Sequence, residues 1–249
     1  MLRGLGANLR DASHLAQAAR LAWSWDDATF GLELARRALA GGADARDLFT
    51  TALAREAAGG CLLRLGEPKQ ALSYLGLASA RFAHRASFRT LLAEACVATG
   101  ERDRAIQELG AAVQIDPSDA RALASLGGLL RDAGKRDDAL AFLDEAVRID
   151  PREPAAHANR GLLLHDLGRD ADAIADLRAV VEISPADRMA RFNLGALLVI
   201  AGKPAEAIPQ LQAALAPGTG TSANPPDARQ WLARAQSELS AGGATALTK

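Results

Sequence analysis

The sequence predicts an all-α fold, an array of antiparallel helix pairs stacked as a solenoid, and three observations predict it. Glycines recur at a constant step of 34 residues, at Gly66, Gly100, Gly134, Gly168 and Gly202. Three Ile-x-Pro triplets keep the same step, with prolines at Pro117, Pro151 and Pro185. Alanine and leucine dominate while aromatic residues make up only 4%. That balance favours helix over sheet, because Ala and Leu lose little side-chain freedom in a helix. A fixed period of this size signals one supersecondary unit repeated along the chain.

Framed on these marks, residues 52–85, 86–119, 120–153, 154–187 and 188–217 are five units, the last ending early at Pro217. Numbered from the start of each unit, position 8 is Gly59, Ala93, Gly127, Gly161 and Gly195. Position 20 is Ala71, Ala105, Ala139, Ala173 and Ala207, and position 24 is Leu75, Leu109, Leu143, Leu177 and Leu211. Position 27 is Ala78, Ala112, Ala146, Val180 and Ala214. Each unit carries two apolar-periodic stretches separated by Gly and a charged residue, as in Gly66-Glu67 and Gly168-Arg169. Glycine suits the left-handed position just past a helix end. Small residues at positions 8 and 20 let the two helices approach, and Leu at position 24 fills the space between units. The proline after the second helix cannot continue it.

Residues 1–51 read as a degenerate N-terminal repeat or cap with an insertion. Residues 9–42 align as a sixth unit, with Ala28, Leu32 and Ala35 in second-helix positions. Ala43–Thr51 is then the insertion, extending the next helix at its start from about Asp44. Trp23, Trp25 and Phe30 belong to this cap. At the other end, residues 218–226 form a turn-rich loop within PGTGTSANPP. Residues 227–240 form a capping helix with Trp231, Leu232, Ala235 and Leu239 on its apolar stripe. Residues 241–249 form a flexible tail.

The charge balance excludes several partners. A net charge of -1 supplies no basic field for nucleic acid or an anionic membrane surface. Arg3, Arg10, Asp11 and Arg20 interrupt any apolar leader, and no stretch approaches the ~18 apolar residues of a membrane span. The expectation is a soluble, cytoplasmic chain without membrane insertion. Two cysteines, Cys61 and Cys96, cannot build a disulfide framework or four zinc thiolates, and they fall at packing positions. His14, His84, His157 and His165 occupy unrelated repeat positions. His157 falls at packing position 4. His165 with Asp132 and Asp166 could form a general-base pair or a weak metal site, although solvated groove charge accounts for them better. No P-loop, HExxH or GxSxG motif occurs. No catalytic residue, metal site or cofactor is therefore expected, and no enzyme activity.

The 34-residue unit, with small residues at positions 8, 20 and 27 and Pro near position 32, resembles the tetratricopeptide repeat family. The resemblance covers residues 52–217. It departs at Arg160, where position 7 is usually aliphatic, and at Ala83, where the first unit lacks its proline. It implies a right-handed superhelical solenoid whose first helices line a concave face at positions 2, 5, 6, 9, 12 and 13. Carried over position by position, partner-binding residues would be Arg121, Ser125, Arg131, Asn159, His165, Met189, Phe192 and Asn193.

Ser125, Asn159 and Asn193 share position 6 and form a polar ladder. An amide both donates to and accepts from an extended peptide backbone. A similar ladder grips peptide in O-linked N-acetylglucosamine transferases. Each asparagine alone also fits a local helix-to-helix bond. Met189, Phe192, Val199 and Ile200 would add an apolar patch. The carboxylate clamp for chaperone tails is not matched, because Ala124, Gly128, Met189 and Asn193 stand at four of its five positions and only Asn159 fits. Arg121, Arg131, Arg152, Arg160, Arg188 and Arg191 cluster in the middle units, offset by Asp119, Asp132, Glu153, Asp166 and Asp187. The implied function is a non-catalytic scaffold that holds a protein or an extended peptide. One alternative is a substrate-recruiting arm of a larger enzyme of glycosyltransferase type. Another is self-association through Trp23, Trp25 and Trp231 at the caps. The capping helix before Lys249 favours the stand-alone module.

Overall fold

The computed structural model describes residues 11–41, 48–82, 84–216 and 227–246. The start of the insertion at Ala43 and Asp44, Ala83, the loop at 218–226 and the last three residues lie outside the described residues. Among the described residues there are thirteen helices and no strand, an all-α helical-repeat fold of the solenoid class. They are α1 (Ala12–Ser24), α2 (Ala28–Ala40), α3 (Leu48–Arg64), α4 (Pro68–Arg81), α5 (Ala86–Thr99), α6 (Arg102–Ile115) and α7 (Ala120–Asp132). Then follow α8 (Arg136–Ile149), α9 (Pro154–Asp166), α10 (Asp170–Ile183), α11 (Arg188–Ile200), α12 (Pro204–Leu215) and α13 (Ala228–Ala246). The chain divides into two compact units, residues 1–122 and 123–249, with the division inside α7.

Every repeat glycine adopts the left-handed conformation the period predicts, with φ between +70° and +85° at Gly66, Gly100, Gly134, Gly168 and Gly202. Each is followed by a backbone bond that closes the helix end, such as Glu101 N–H to the Cys96 carbonyl and Arg169 N–H to the Leu164 carbonyl, both at 2.8 Å. Four of the first helices, α1, α7, α9 and α11, are capped by acids, whereas Arg85 before α5 makes no side-chain cap. Asp11 accepts from Ser13 and His14, Asp119 from Ala122, Glu153 from Ala155, and Asp187 from Met189 and Ala190. Asp116 and Asp150 of the Ile-Asp-Pro triplets accept from the backbone N–H two residues on, which tightens the turn between units.

The N-terminal pair corrects the register read from sequence. Asp26 takes the left-handed conformation with φ +65°, and Asp27 N–H bonds the Ala22 carbonyl. Asp26 is thus the counterpart of Gly66. Counting from it, positions 20, 24 and 27 are Gly31, Ala35 and Ala38, three residues later than Ala28, Leu32 and Ala35. Sequence reading missed this because the turn lacks its glycine. A second correction lies at the far end. α13 continues as helix to Ala246, past Ser240, so residues 241–246 belong to the helix and not to a tail.

In the first unit α1 packs on α2, α3 on α4 and α5 on α6, and each pair meets the next. In the second, α9 packs on α10 and α11 on α12, while α13 covers α11 and α12. The pairing depends on absent side chains. A Cβ at Gly59, Gly127 or Gly195 would stand 2.5, 2.6 or 2.7 Å from Leu75, Leu143 or Leu211 of the same pair. Position 24 leucine therefore packs into the notch its own unit leaves at position 8, and Leu177 also shares a core cluster with Leu194 and Leu198 of the next unit. The second unit's core gathers Leu164, Leu177, Leu194, Leu198 and Leu211, with Trp231 and Leu232 of α13 packed against it. Trp231 is further covered by the Arg234 guanidinium, 5.3 Å from the ring centre. Trp23 lies against Gly60. Of the three tryptophans, Trp25 alone is largely exposed, at 62%.

Candidate functional site

Three successive first helices, α7, α9 and α11, carry most of the residues predicted to bind a partner. Position 6 of these helices is Ser125, Asn159 and Asn193, all half-buried. Their surroundings differ. The Asn159 amide donates to the Ala124 carbonyl of α7 at 3.1 Å. It lies against Gly128, where a Cβ would approach its nitrogen to 2.8 Å. This asparagine joins two repeats. Asn193 and Ser125, by contrast, have no hydrogen-bond partner among the described residues, so their polar groups stay open to a ligand.

Beside Asn193 lies a shallow pocket of about 180 Å³ between α9 and α11, lined by Leu162, His165, Asn193, Ala196, Leu197 and Ile200 among others. Ile200 is 46% exposed and Met189 is 42% exposed. Phe192 is half-buried and packs against the core cluster. Val199 is corrected out of the apolar patch: it is 2% exposed and belongs to the core. Position 12 turns inward in α11, which spacing along the chain alone does not reveal.

The remaining predicted residues are engaged. Arg131 places Nε and Nη2 on Asp132 Oδ1 at 3.2 and 2.8 Å. His165 Nδ1 pairs with Asp170 Oδ1 at 2.7 Å, so its carboxylate partner is the first residue of α10 and neither Asp132 nor Asp166. Asp166 has no partner among the described residues. Arg121 is exposed in the first unit. There desolvation holds the Glu94 carboxyl above its ordinary value, against the opposing pull of Arg121 and Arg64.

The departure at Arg160 has a structural explanation. Arg160 donates through Nε to Asp176 Oδ2 and through Nη2 to Oδ1, both at 2.8 Å, and through Nη1 to Asp144 at 2.9 Å. His157 meets the same carboxylate through Nδ1 at 2.8 Å and the Pro151 carbonyl through Nε2 at 3.0 Å. Asp176 is 5% exposed. Burial alone would raise its pKa, but the hydrogen bonds from Arg160 and His157 outweigh that and hold it below the ordinary aspartate value. His157 is a buried structural residue, as its packing position predicts. Three of the acids beside the arginines in sequence, Asp119, Glu153 and Asp187, are helix caps; Arg131 pairs with its neighbour Asp132, whereas the carboxylate partners of Arg160 come from other helices.

Sequence reading missed Asp176, although a signal existed. Positions 4 and 23 of a unit stand 19 residues apart, and the pair recurs as Arg89–Glu108 at 2.8 Å, His157–Asp176 at 2.8 Å and Arg191–Gln210 at 3.0 Å. In the unit between the first two the same positions hold Leu123 and Phe142. Each pair ties the two helices of its own repeat.

Cys61 and Cys96 are fully buried. Burial pushes the Cys61 thiol up to about 11 and raises Cys96 as well. Neither is a poised nucleophile. Among the described residues no cluster of three or more His, Cys, Asp or Glu could hold a metal ion, and no helix is long and apolar enough to cross a membrane.

The fold and its glycine-terminated pairs define a helical-repeat protein built from 34-residue units. Tetratricopeptide repeat family models match residues 62–129, 125–188 and 171–225, together most of the chain. The chain belongs to the tetratricopeptide repeat family. Its fold is similar to that in the APC/C hetero-tetramer Cut9–Hcn1, at 18% identity and TM-score 0.80 over 94% of this chain and 45% of that one. It is also similar to a tetratricopeptide repeat protein from Parabacteroides merdae, at 16% identity and TM-score 0.65 over 94% and 92%. A third similar structure is YrrB, described as a TPR protein with an unusual peptide-binding site, at 22% identity and TM-score 0.56 over 81% and 96%. No curated protein matches the sequence. Repeats of this family are protein–protein interaction scaffolds, and that is the general function of this chain.

Proposed function

We propose that the chain is a non-catalytic module that binds an extended segment of a partner protein along α7, α9 and α11 of its second unit. The observation that carries this reading is the contrast between the two asparagines. Asn159 spends its amide on the Ala124 carbonyl, whereas Asn193 has an unpaired amide beside an apolar pocket. The Asn193 amide is not among the buried polar atoms left without a partner, so its bonds go to water and a ligand's backbone can replace that water. An extended peptide offers alternating N–H and C=O groups that an amide can meet on both sides. Ser125 supplies a second open rung, and Met189 and Phe192 supply apolar contact.

The test is a pull-down with the intact chain, compared with Asn193→Ala and with Asn159→Ala, followed by affinity measurement on the recovered partner. Asn193→Ala should weaken the partner by about 1 kcal/mol or more while the melting temperature holds. Asn159→Ala should chiefly lower the melting temperature. Unchanged affinity in a folded Asn193→Ala chain sinks the reading.

A further inference from the structure

We propose that a pocket shared by α2, α3 and α4 binds a carboxylate that carries a short aliphatic body, with Arg55 as its counter-ion. The site lies in the first unit and is independent of the groove reading above.

The repeat pattern shows which group is missing there. Position 4 finds an acceptor at position 23 in three repeats, as Arg89–Glu108, His157–Asp176 and Arg191–Gln210. In repeat 52–85 the same positions hold Arg55 and Tyr74. Arg55 is half-buried and has no hydrogen-bond or ion-pair partner among the described residues. Its guanidinium is left to water, and an incoming anion can replace that water with a charge-assisted bond.

The lining of the pocket points the same way. Arg55 shares a cavity of about 280 Å³ with Leu39, Thr51, Ser73, Tyr74 and Leu77. Four of these six side chains can donate a hydrogen bond, and none is acidic. Thr51 Oγ1 is buried without a partner, and the Ser73 and Tyr74 hydroxyls have none among the described residues. The acids of the surrounding helices are placed elsewhere. Glu33, the only acid of α2, lines a different pocket with Arg36 and Arg37. Glu56, the only acid of α3, lies 3.6 Å from the Arg85 guanidinium, and α4 has no acid. Unspent donors around one unpaired cation fit an acceptor-rich monoanion. The planar fork of an arginine matches the two oxygens of a carboxylate. Leu39 and Leu77 supply an apolar wall, with Leu77 63% exposed, so an aliphatic group on the same ligand finds contact. The volume sits just below the ~300–1,000 Å³ of drug-sized sites, which suits a fragment. Two sources carry this chemistry: a free small acid, and an acidic side chain beside an aliphatic residue in a protein.

The experiment titrates the full chain and follows its amide and methyl NMR signals. The probes are isovalerate, the uncharged isovaleramide, inorganic phosphate, and the capped peptides LEL and LQL. At least one carboxylate should give saturable shifts at Leu39, Thr51 and Leu77, and its matching amide none. Shifts from isovalerate but not LEL identify a free acid as the ligand; stronger binding of LEL identifies a protein side chain. Arg55→Gln should weaken the carboxylate about tenfold or more while the melting temperature holds, because Arg55 has no bond to lose. Tyr74→Glu restores the acceptor of the other repeats, so it should abolish binding and raise the melting temperature. If Arg55→Gln fails to fold, Tyr74→Glu decides alone. Equal shifts from the amides overturn the role of Arg55, and tighter binding of phosphate overturns the carboxylate. No saturable shift at about 20 mM, well above the ~1 mM expected of a weak fragment, overturns the site. Binding that emerges only in Asp44→Asn/Asp47→Asn shows the occupant to be an acid of this chain and ends the proposal.

Discussion

Removing the Asp176 carboxylate tests the account of Arg160 most directly. In Asp176→Ala, Arg160 Nε and Nη2 and His157 Nδ1 lose their common acceptor, and Arg160 retains only Asp144. Asp176 is 5% exposed, so water replaces the lost bonds poorly. Breaking one partner out of a buried ion pair costs about 3–5 kcal/mol. With a urea m-value of about 2 kcal/mol/M, that shifts the unfolding midpoint down by roughly 2 M. Circular dichroism during urea titration reads the shift directly. The pH dependence follows from the sign of the Asp176 shift. Its pKa is lower in the folded chain than in the unfolded one. Its contribution is therefore present above the unfolded value of about 3.9 and is lost as pH falls through the lower folded value. The gap between the native chain and Asp176→Asn should stay constant near neutral pH and close only in strong acid. The apolar replacement His157→Leu/Arg160→Met/Asp176→Val should lose less stability than Asp176→Ala, because it removes the desolvation cost along with the bonds and leaves no buried charge unpaired. A cost below about 1 kcal/mol for Asp176→Ala, or a gap that does not close in acid, refutes the reasoning.

Gly127→Ala and Gly195→Ala should each cost about 1–3 kcal/mol, since the new Cβ meets Leu143 or Leu211 inside 3 Å. Gly161→Ala should cost less, because its nearest neighbours stand at 3.2–3.3 Å; equal melting losses at the three sites would contradict the notch geometry. Cys61 and Cys96 should resist a thiol reagent at neutral pH and react fully in denaturant, with the Cys61 thiol near 11 in the folded chain. Stoichiometric labelling of the native chain would show either thiol to be more accessible than its burial allows.

What the sequence by itself determined is the periodic part. Glycine at 66, 100, 134, 168 and 202 marks the left-handed helix ends because few other residues tolerate that backbone. Small residues at positions 8 and 20 and leucine at 24 specify how the two helices of a pair meet, since close approach requires an absent side chain. These are local requirements, so they recur at constant spacing and can be read without coordinates. Where the local signal changed identity, the reading slipped: Asp26 does the work of a glycine, and the first pair was framed three residues early.

Only the tertiary structure decided which polar groups are occupied. Asn159 and Asn193 are the same residue at the same repeat position, yet one bonds the Ala124 carbonyl and the other has no partner among the described residues. His165 chose Asp170 over the two carboxylates nearer its groove position, and Arg160 left the aliphatic norm because Asp176 and Asp144 reach it from two other helices. Hydrogen bonds form over about 3 Å and depend on side-chain direction. A repeat register fixes a residue's place to within a helix face, which is coarser than that distance.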